Sequence, residues 1–309
     1  MRGDERGVAV SGYRLTSLIL LVLAFAVPVP RCDADGADWR YQMRQASTTP
    51  LSNPHDIKLS PDGRHLYVAD VGTGRVVVLD AQTLALVDAF GDDQLDGTHD
   101  LDFDDDGRLY VADTHNGRIA IFSMKGTRGT LVGELRERLA GPEGVLVHPN
   151  GMLYAAGAWS NNVVAFRDGR VVHELRGLSA PHDLELAPNG DIWLADAGND
   201  RLLRLNQALE IVAELRGPPY DFSGVRYLDV LPDGSIVAAD KNNHSVKLIG
   251  AGGRLLGRIG DGRRGRGPGV FTTPEGVESR GDTLWLSDSG NDRVVVYGFE
   301  VPDEAGSAQ

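Results

Sequence analysis

Six times along the chain one phrase recurs. An apolar-alternating segment leads to a Pro-Asp-Gly-like turn, then to a second segment ending in Ala-Asp, and then to a third apolar run. Its clearest copies run from Pro54-His55-Asp56-Ile57 to Leu66-Tyr67-Val68-Ala69-Asp70, and from Pro181-His182-Asp183-Leu184 to Ile192-Trp193-Leu194-Ala195-Asp196. Others begin at Thr98-His99-Asp100-Leu101, Pro142-Glu143-Gly144-Val145, Val225-Arg226-Tyr227-Leu228 and Pro274-Glu275-Gly276-Val277. Aligned on its second residue, the phrase starts at 55, 99, 143, 182, 226 and 275. Self-similarity at this period marks a repeat architecture in which each unit buries its apolar face only against its neighbours.

The repeats are strands. Residues 75–79, 118–122 and 293–297 are rich in β-branched and aromatic side chains, which suit a buried, pleated surface. Pro61-Asp62-Gly63, Pro149-Asn150-Gly151, Pro188-Asn189-Gly190 and Pro232-Asp233-Gly234 are tight turns: Pro presets φ and Gly accepts the positive φ at which the chain reverses. A period of 39 to 49 residues holds a four-stranded propeller blade. The expected fold is therefore all-β, a six-bladed β-propeller over residues 39–299. After Pro274 only three strands remain, so residues 39–45 are expected to supply the fourth by pairing with 294–298. That pairing makes a ring closed by an N-terminal outer strand and removes a sheet edge that would otherwise aggregate.

The flanks read differently. Arg2, Arg6 and Arg14 precede an apolar run over residues 15–27, broken by Pro28 and Pro30. The run is short for a bilayer span but fits the hydrophobic region of a signal peptide, residues 1–34, with cleavage after Ala34. The expected location is secreted or periplasmic, and the mature chain is not membrane-spanning. Cys32, the one cysteine, leaves with the signal, so stability rests on the core and the closed ring, without disulfides. Residues 300–309 read as a flexible tail.

The net charge of −13 repels phosphate backbones, and the Arg263, Arg264 and Arg266 knot is too small to reverse that, so no nucleic acid is expected as a partner. No thiol or serine nucleophile motif, phosphate loop or nucleotide fingerprint is present.

Function is sought at one end of the ring. First and second strands run antiparallel, so the residue after the leading Pro and the loop after Ala-Asp share that end. The slot reads His55, His99, Glu143, His182, Arg226 and Glu275 around the ring, and the adjacent loops add His115, Trp159 and His244. Five of the eight histidines fall on this face. Three imidazoles, His55, His99 and His182, with Glu143 as fourth ligand, would make a first shell for Zn or another divalent metal. The same slot also suits ligand binding through Glu143, Arg226, Glu275, Trp159, His115 and His244, with Arg226 opposite Glu143 and free to neutralise Glu275. Asp70, Asp113, Asp196, Asp240 and Asp288 recur too regularly for chemistry. Each precedes an Asn/Gly-rich loop and reads as a brace. The third blade has Gly157 in place of that Asp, and Trp159 beyond it.

Pro274-Glu275-Gly276-Val277, Leu109-Tyr110-Val111-Ala112-Asp113-Thr114-His115-Asn116-Gly117-Arg118-Ile119 and Gly267-Pro268-Gly269-Val270-Phe271 closely resemble NHL repeats. The resemblance covers nearly all of residues 39–299 and implies a six-bladed propeller, but its members include scaffolds, receptors, hydrolases and lyases. Peptidyl-α-hydroxyglycine amidating lyases are similar propellers whose zinc is held by histidines in this slot, which His55, His99 and His182 resemble. The pattern departs from theirs: the histidines here sit on the first, second and fourth blades rather than on alternating ones, and Ala197 stands where a lyase arginine is expected. Arg226 and Tyr227 are the candidates for catalytic work under that reading. The favoured expectation is a monomeric extracytoplasmic scaffold that binds a small molecule, peptide or glycan, or a protein partner. The alternative is a metal-dependent lyase or hydrolase.

Overall fold

In the computed structural model, which describes residues 40–300, the chain forms six four-stranded antiparallel sheets. Their innermost strands are Pro54–Leu59, Thr98–Phe103, Pro142–Val147, Pro181–Leu186, Val225–Val230 and Pro274–Arg280. Blades one to five each run outward through four consecutive strands. The sixth takes its outer strand from the other end of the chain. Arg40–Ala46 pairs with Arg293–Glu300, placing Tyr41 opposite Phe299 and Met43 opposite Tyr297. The ring therefore closes as expected, although Trp39 and the signal and tail segments lie outside the described residues.

Blades bind one another through apolar seams. Tyr41, Phe271, Tyr297 and Phe299 pack with Val237, Val246 and Leu256 of the fifth blade in one such cluster. Deleting residues 40–46 removes Tyr41 from this seam and bares the edge of Arg293–Glu300. The deletion is expected to lower the midpoint of thermal unfolding by more than about 10 °C and to produce oligomers on gel filtration. A monomer of unchanged thermal stability would show that closure contributes little.

Two features position the channel. Every inner strand carries a register irregularity in its first few residues, as between Pro54 and Ile57 or Thr98 and Leu101. In a regular strand consecutive side chains point to opposite faces, and a bulge relaxes that rule. Here residues two and three of the strand both reach neighbouring inner strands: the His55 and His99 rings lie 4.6 Å apart, and Asp56 is hydrogen-bonded to Asp100. The carboxylates also tie blade to blade. Asp100 accepts from the backbone N–H of Val145 at 2.6 Å, and Asp183 from that of Leu228 at 2.7 Å.

Where the third position is glycine, backbones close up instead. A Cβ on Gly144 would sit 1.9 Å from the His182 carbonyl oxygen, and one on Gly276 would sit 2.4 Å from that of His55. In the fifth blade the same position holds Tyr227. Its ring is fully buried and its hydroxyl donates across the ring to the carbonyl of His99 at 3.1 Å.

Candidate functional site at the channel mouth

The mouth is built from the second residue of each inner strand, and the structure divides it into two groups. Glu143 is the centre of the first. Its Oε2 lies 2.5 Å from His182 Nε2, 3.8 Å from His99 Nε2 and 3.6 Å from Arg226 Nη1. Burial works against a charge on Glu143, but the hydrogen bond and charge of His182, with His99 and Arg226 adding theirs, hold the carboxyl down at about 2. Backbone carbonyls orient both imidazoles: His99 Nδ1 faces Gly97 O and His182 Nδ1 faces Ala180 O, each at 2.8 Å.

Glu275 anchors the second group. It pairs with Lys241 at 2.5 Å and with His55 Nε2 at 3.8 Å. Burial, and next the charges of His99 and Lys241, push His55 well below the ordinary imidazole range. Burial lowers His99 as well, with Glu143 and the Gly97 carbonyl pulling the other way.

The predicted histidines thus converge, but they do not share a centre. His99 and His182 face Glu143, whereas His55 faces Glu275 and lies 3.1 Å from the Asn53 side-chain nitrogen. Among the described residues no three His, Cys, Asp or Glu side chains are grouped so as to hold a metal ion. A His55–His99–His182 shell does not fit this arrangement. Arg226 corrects a second expectation, since it sits beside Glu143 and the cation on Glu275 is Lys241.

Lys241 was missed, although the repeat carries its signal. It directly follows Asp240, and the equivalent residues after Asp113 and Asp288 also reach the next inner strand: Thr114 and Ser289 donate to the carbonyls of Pro142 and Pro54.

His244 is a further correction. It occupies a left-handed position, φ 49°, after the short turn Lys241–Asn243. Its ring is nearly buried, with Nδ1 accepting from Thr273 N–H and the Arg264 guanidinium 3.2 Å from Nε2. Asn161, Asp200 and Asp292 do the same work in their blades, accepting from the N–H groups of Ala180, Gly224 and Asn53. His244 is therefore a tie between blades and not a ligand group. Tyr227 likewise plugs the channel beneath the mouth. Burial raises its phenol well above its ordinary value, so it keeps the proton that it donates to His99 O.

The recurring Asp residues are braces. Asp113 accepts from Asp96 N–H and pairs with Arg118 at 2.6 Å, and Asp196 does so with Ser179 N–H and Arg201 at 2.7 Å. In the third blade Ser160 and Asn162 replace the carboxylate, and Gly157 makes room: a Cβ there would sit 2.2 Å from Ser160 Oγ. The brace is rebuilt, not lost.

His115 and Trp159, each two residues beyond the brace position, stack on one another with ring centroids 5.9 Å apart and planes at 27°. They rest over Gly97 and Gly141, two residues before His99 and Glu143.

Six blades around a polar, closed channel define a six-bladed β-propeller. The NHL repeat family model matches residues 51–79 and 96–122, so segments of the first and second blades match NHL repeats. No curated protein matches it in sequence. Among solved structures it is similar to an auxiliary nutrient binding protein from Bacteroides thetaiotaomicron, with TM-score 0.66 and 15% identity over 84% of this chain and 73% of that one. It is also similar to a streptogramin B lyase, with TM-score 0.63 and 15% identity over 84% and 98%. Virginiamycin B lyase from Staphylococcus aureus follows, with TM-score 0.60 and 14% identity over 84% and 99%. At these identities the likeness establishes the fold alone. Among the described residues no helix is long and apolar enough to cross a membrane.

Proposed function

We propose that this propeller is an exported binding protein whose channel mouth receives the anionic end of a small ligand. One observation carries the reading. The side chains of Arg226 and Lys241 are 26% and 24% exposed, whereas Glu143 and Glu275 beneath them are 10% and 1% exposed. The mouth therefore offers cations to solvent and hides the carboxylates, on a chain whose net charge is −13. A local positive field in an acidic protein draws anions to that spot and discourages them elsewhere. A neighbour of the same fold described as a nutrient binding protein supports the binding reading, and the apolar run over residues 15–27 after Arg2, Arg6 and Arg14 supports export.

The test is calorimetric titration with a panel of mono- and dicarboxylates and inorganic phosphate. At least one is expected to bind, more weakly as salt rises. Arg226→Ala is expected to weaken it at least tenfold, the scale of one charge-assisted hydrogen bond, about 1.4 kcal/mol or more. Arg226→Lys should retain part of the affinity, because it keeps the charge and loses the planar fork. Unchanged affinity in Arg226→Ala would overturn the reading. Stoichiometric zinc that disappears in His182→Ala would replace it with a metal-dependent lyase or hydrolase.

A further inference from the structure

The His115–Trp159 stack has no counterpart on the other blades. The position it occupies is Gly72, Gly198 and Gly290 in the first, fourth and sixth blades, and Asn242 in the fifth. Where that position is glycine, a side chain from the segment before the inner strand fills the space: a Cβ on Gly72 would lie 2.2 Å from Ser52 Oγ, and one on Gly198 would lie 2.4 Å from Ser179 Oγ. In the second, third and fifth blades the sizes are exchanged: Gly97, Gly141 and Gly224 stand where the other blades have Asn53, Ala180 and Thr273. A Cβ on Gly97 would fall 2.8 Å from the His115 ring, one on Gly141 2.2 Å from the Trp159 ring, and one on Gly224 2.7 Å from the Asn242 amide. Of these three, the adjacent second and third blades present a ring on the rim, whereas the fifth presents an amide.

The stack is not core. Trp159 is 58% exposed, whereas Trp193 and Trp285 are buried. His115 is half exposed, and its Nδ1 donates to Asp96 at 3.0 Å. That bond leaves a solvent-facing carboxylate oxygen and His115 Nε2 beside the indole, and both are acceptors.

We infer that this rim platform binds the flat C–H face of a pyranose ring, with sugar hydroxyls donating to Asp96. The platform calls for an occupant with an apolar face and hydroxyl donors at its edge. A tyrosine or tryptophan side chain carries a single donor at its edge, whereas a pyranose carries several around its flat face. An ammonium group is best held by several enclosing rings, and the platform has a single indole. The platform adjoins the strands that carry His99 and Glu143, so sugar and mouth sites share one end of the propeller.

Neutral hexasaccharides test it: cellohexaose, maltohexaose and xylohexaose at millimolar concentration, read by tryptophan fluorescence and calorimetry. At least one is expected to bind and to change the emission of the exposed indole. Trp159→Ala is expected to weaken that binding at least tenfold and abolish the emission change, while Trp159→Phe retains most of the affinity. Asp96→Asn should weaken it several-fold. Gly141→Ala keeps the indole but displaces it, so it too should weaken binding, with the thermal midpoint reporting any loss of fold. Failure of all three sugars to bind, equal binding by Trp159→Ala, or binding of tetramethylammonium alone would overturn the assignment. These sugars carry no anionic group, so they report on the platform, and the carboxylate panel reports on the mouth. Either can fail without the other.

Discussion

Gly144→Ala is expected to fold poorly or not at all. The added methyl would lie 1.9 Å from the His182 carbonyl oxygen, 2.9 Å from its carbon and 3.1 Å from the Ala156 Cβ. None of these is the free end of a flexible side chain. Two are backbone of the next blade's inner strand, and the third is a core methyl. In an open sheet the strands would part by the distance needed. In a closed ring, widening the seam between the third and fourth blades compresses the others and draws His182 away from Glu143. Overpacking of this kind costs about 3 kcal/mol or more, against a total stability of roughly 5–15 kcal/mol. Gly126→Ala is the control. Its φ is +61° but nothing lies within 4 Å, so only the left-handed backbone opposes it, at about 1–2 kcal/mol. Urea denaturation of both variants followed by fluorescence decides the matter. Equal losses for the two would show that the ring accommodates the methyl.

That glycine marks how far the sequence can be read. Strand order, blade count and closure were legible because each repeat states the same apolar alternation and turn, and the closing strand is simply the piece the last repeat lacks. The mouth was legible for the same reason, since equivalent slots in a ring face one axis. What stayed hidden lies in departures from strand regularity. Strict alternation sends residues 55 and 57 to one side and Asp56 to the other. The inner-strand bulge instead brings His55 and Asp56 both against neighbouring inner strands, so the carboxylate tier of Asp56, Asp100 and Asp183 went unread. The partners of Glu143 and Glu275 were hidden for another reason: the slot residues fix which blade a side chain comes from, but not which neighbour it turns toward. His244 was misread because facing the right end does not distinguish a ligand group from a tie. Lining up the left-handed residue of the last four repeats, Asn161, Asp200, His244 and Asp292, separates the two.

The hidden tier has a measurable consequence: the protein is expected to be most stable in mild acid and to lose stability as pH rises from about 6.5 to 8.5. Burial raises Asp100 to about 7, Asp102 and Asp229 to about 6 and Glu278 to about 8, and it lifts Asp56 and Asp183 well above the usual carboxylate range. Lys58 is the cation among them, 2.6 Å from Glu185 and 4.0 Å from Glu278, and it cannot neutralise them all. A carboxyl whose folded value is raised holds a proton that the unfolded chain has given up. Its stabilisation is complete below the unfolded value near 4 and is lost as pH climbs through the folded one. Each such group contributes up to about 1.4 kcal/mol per pH unit within its window. His55 and His99 are lowered and act in the opposite sense: their stabilisation is complete above about 6.5 and is lost as pH falls below it. They flatten the acid side and leave the alkaline side to Asp100 and Glu278. Glu143, held at about 2, adds stability above the ordinary carboxylate range that is lost only in stronger acid. Between pH 6.5 and 8.5 the expected loss is on the order of 3 kcal/mol, read as a falling urea midpoint. Glu278→Gln keeps an uncharged side chain at all pH values, so its profile should be flatter by the share of that one group. A wild-type midpoint that is level or rising over this range would mean that these carboxyls ionise freely in the folded channel.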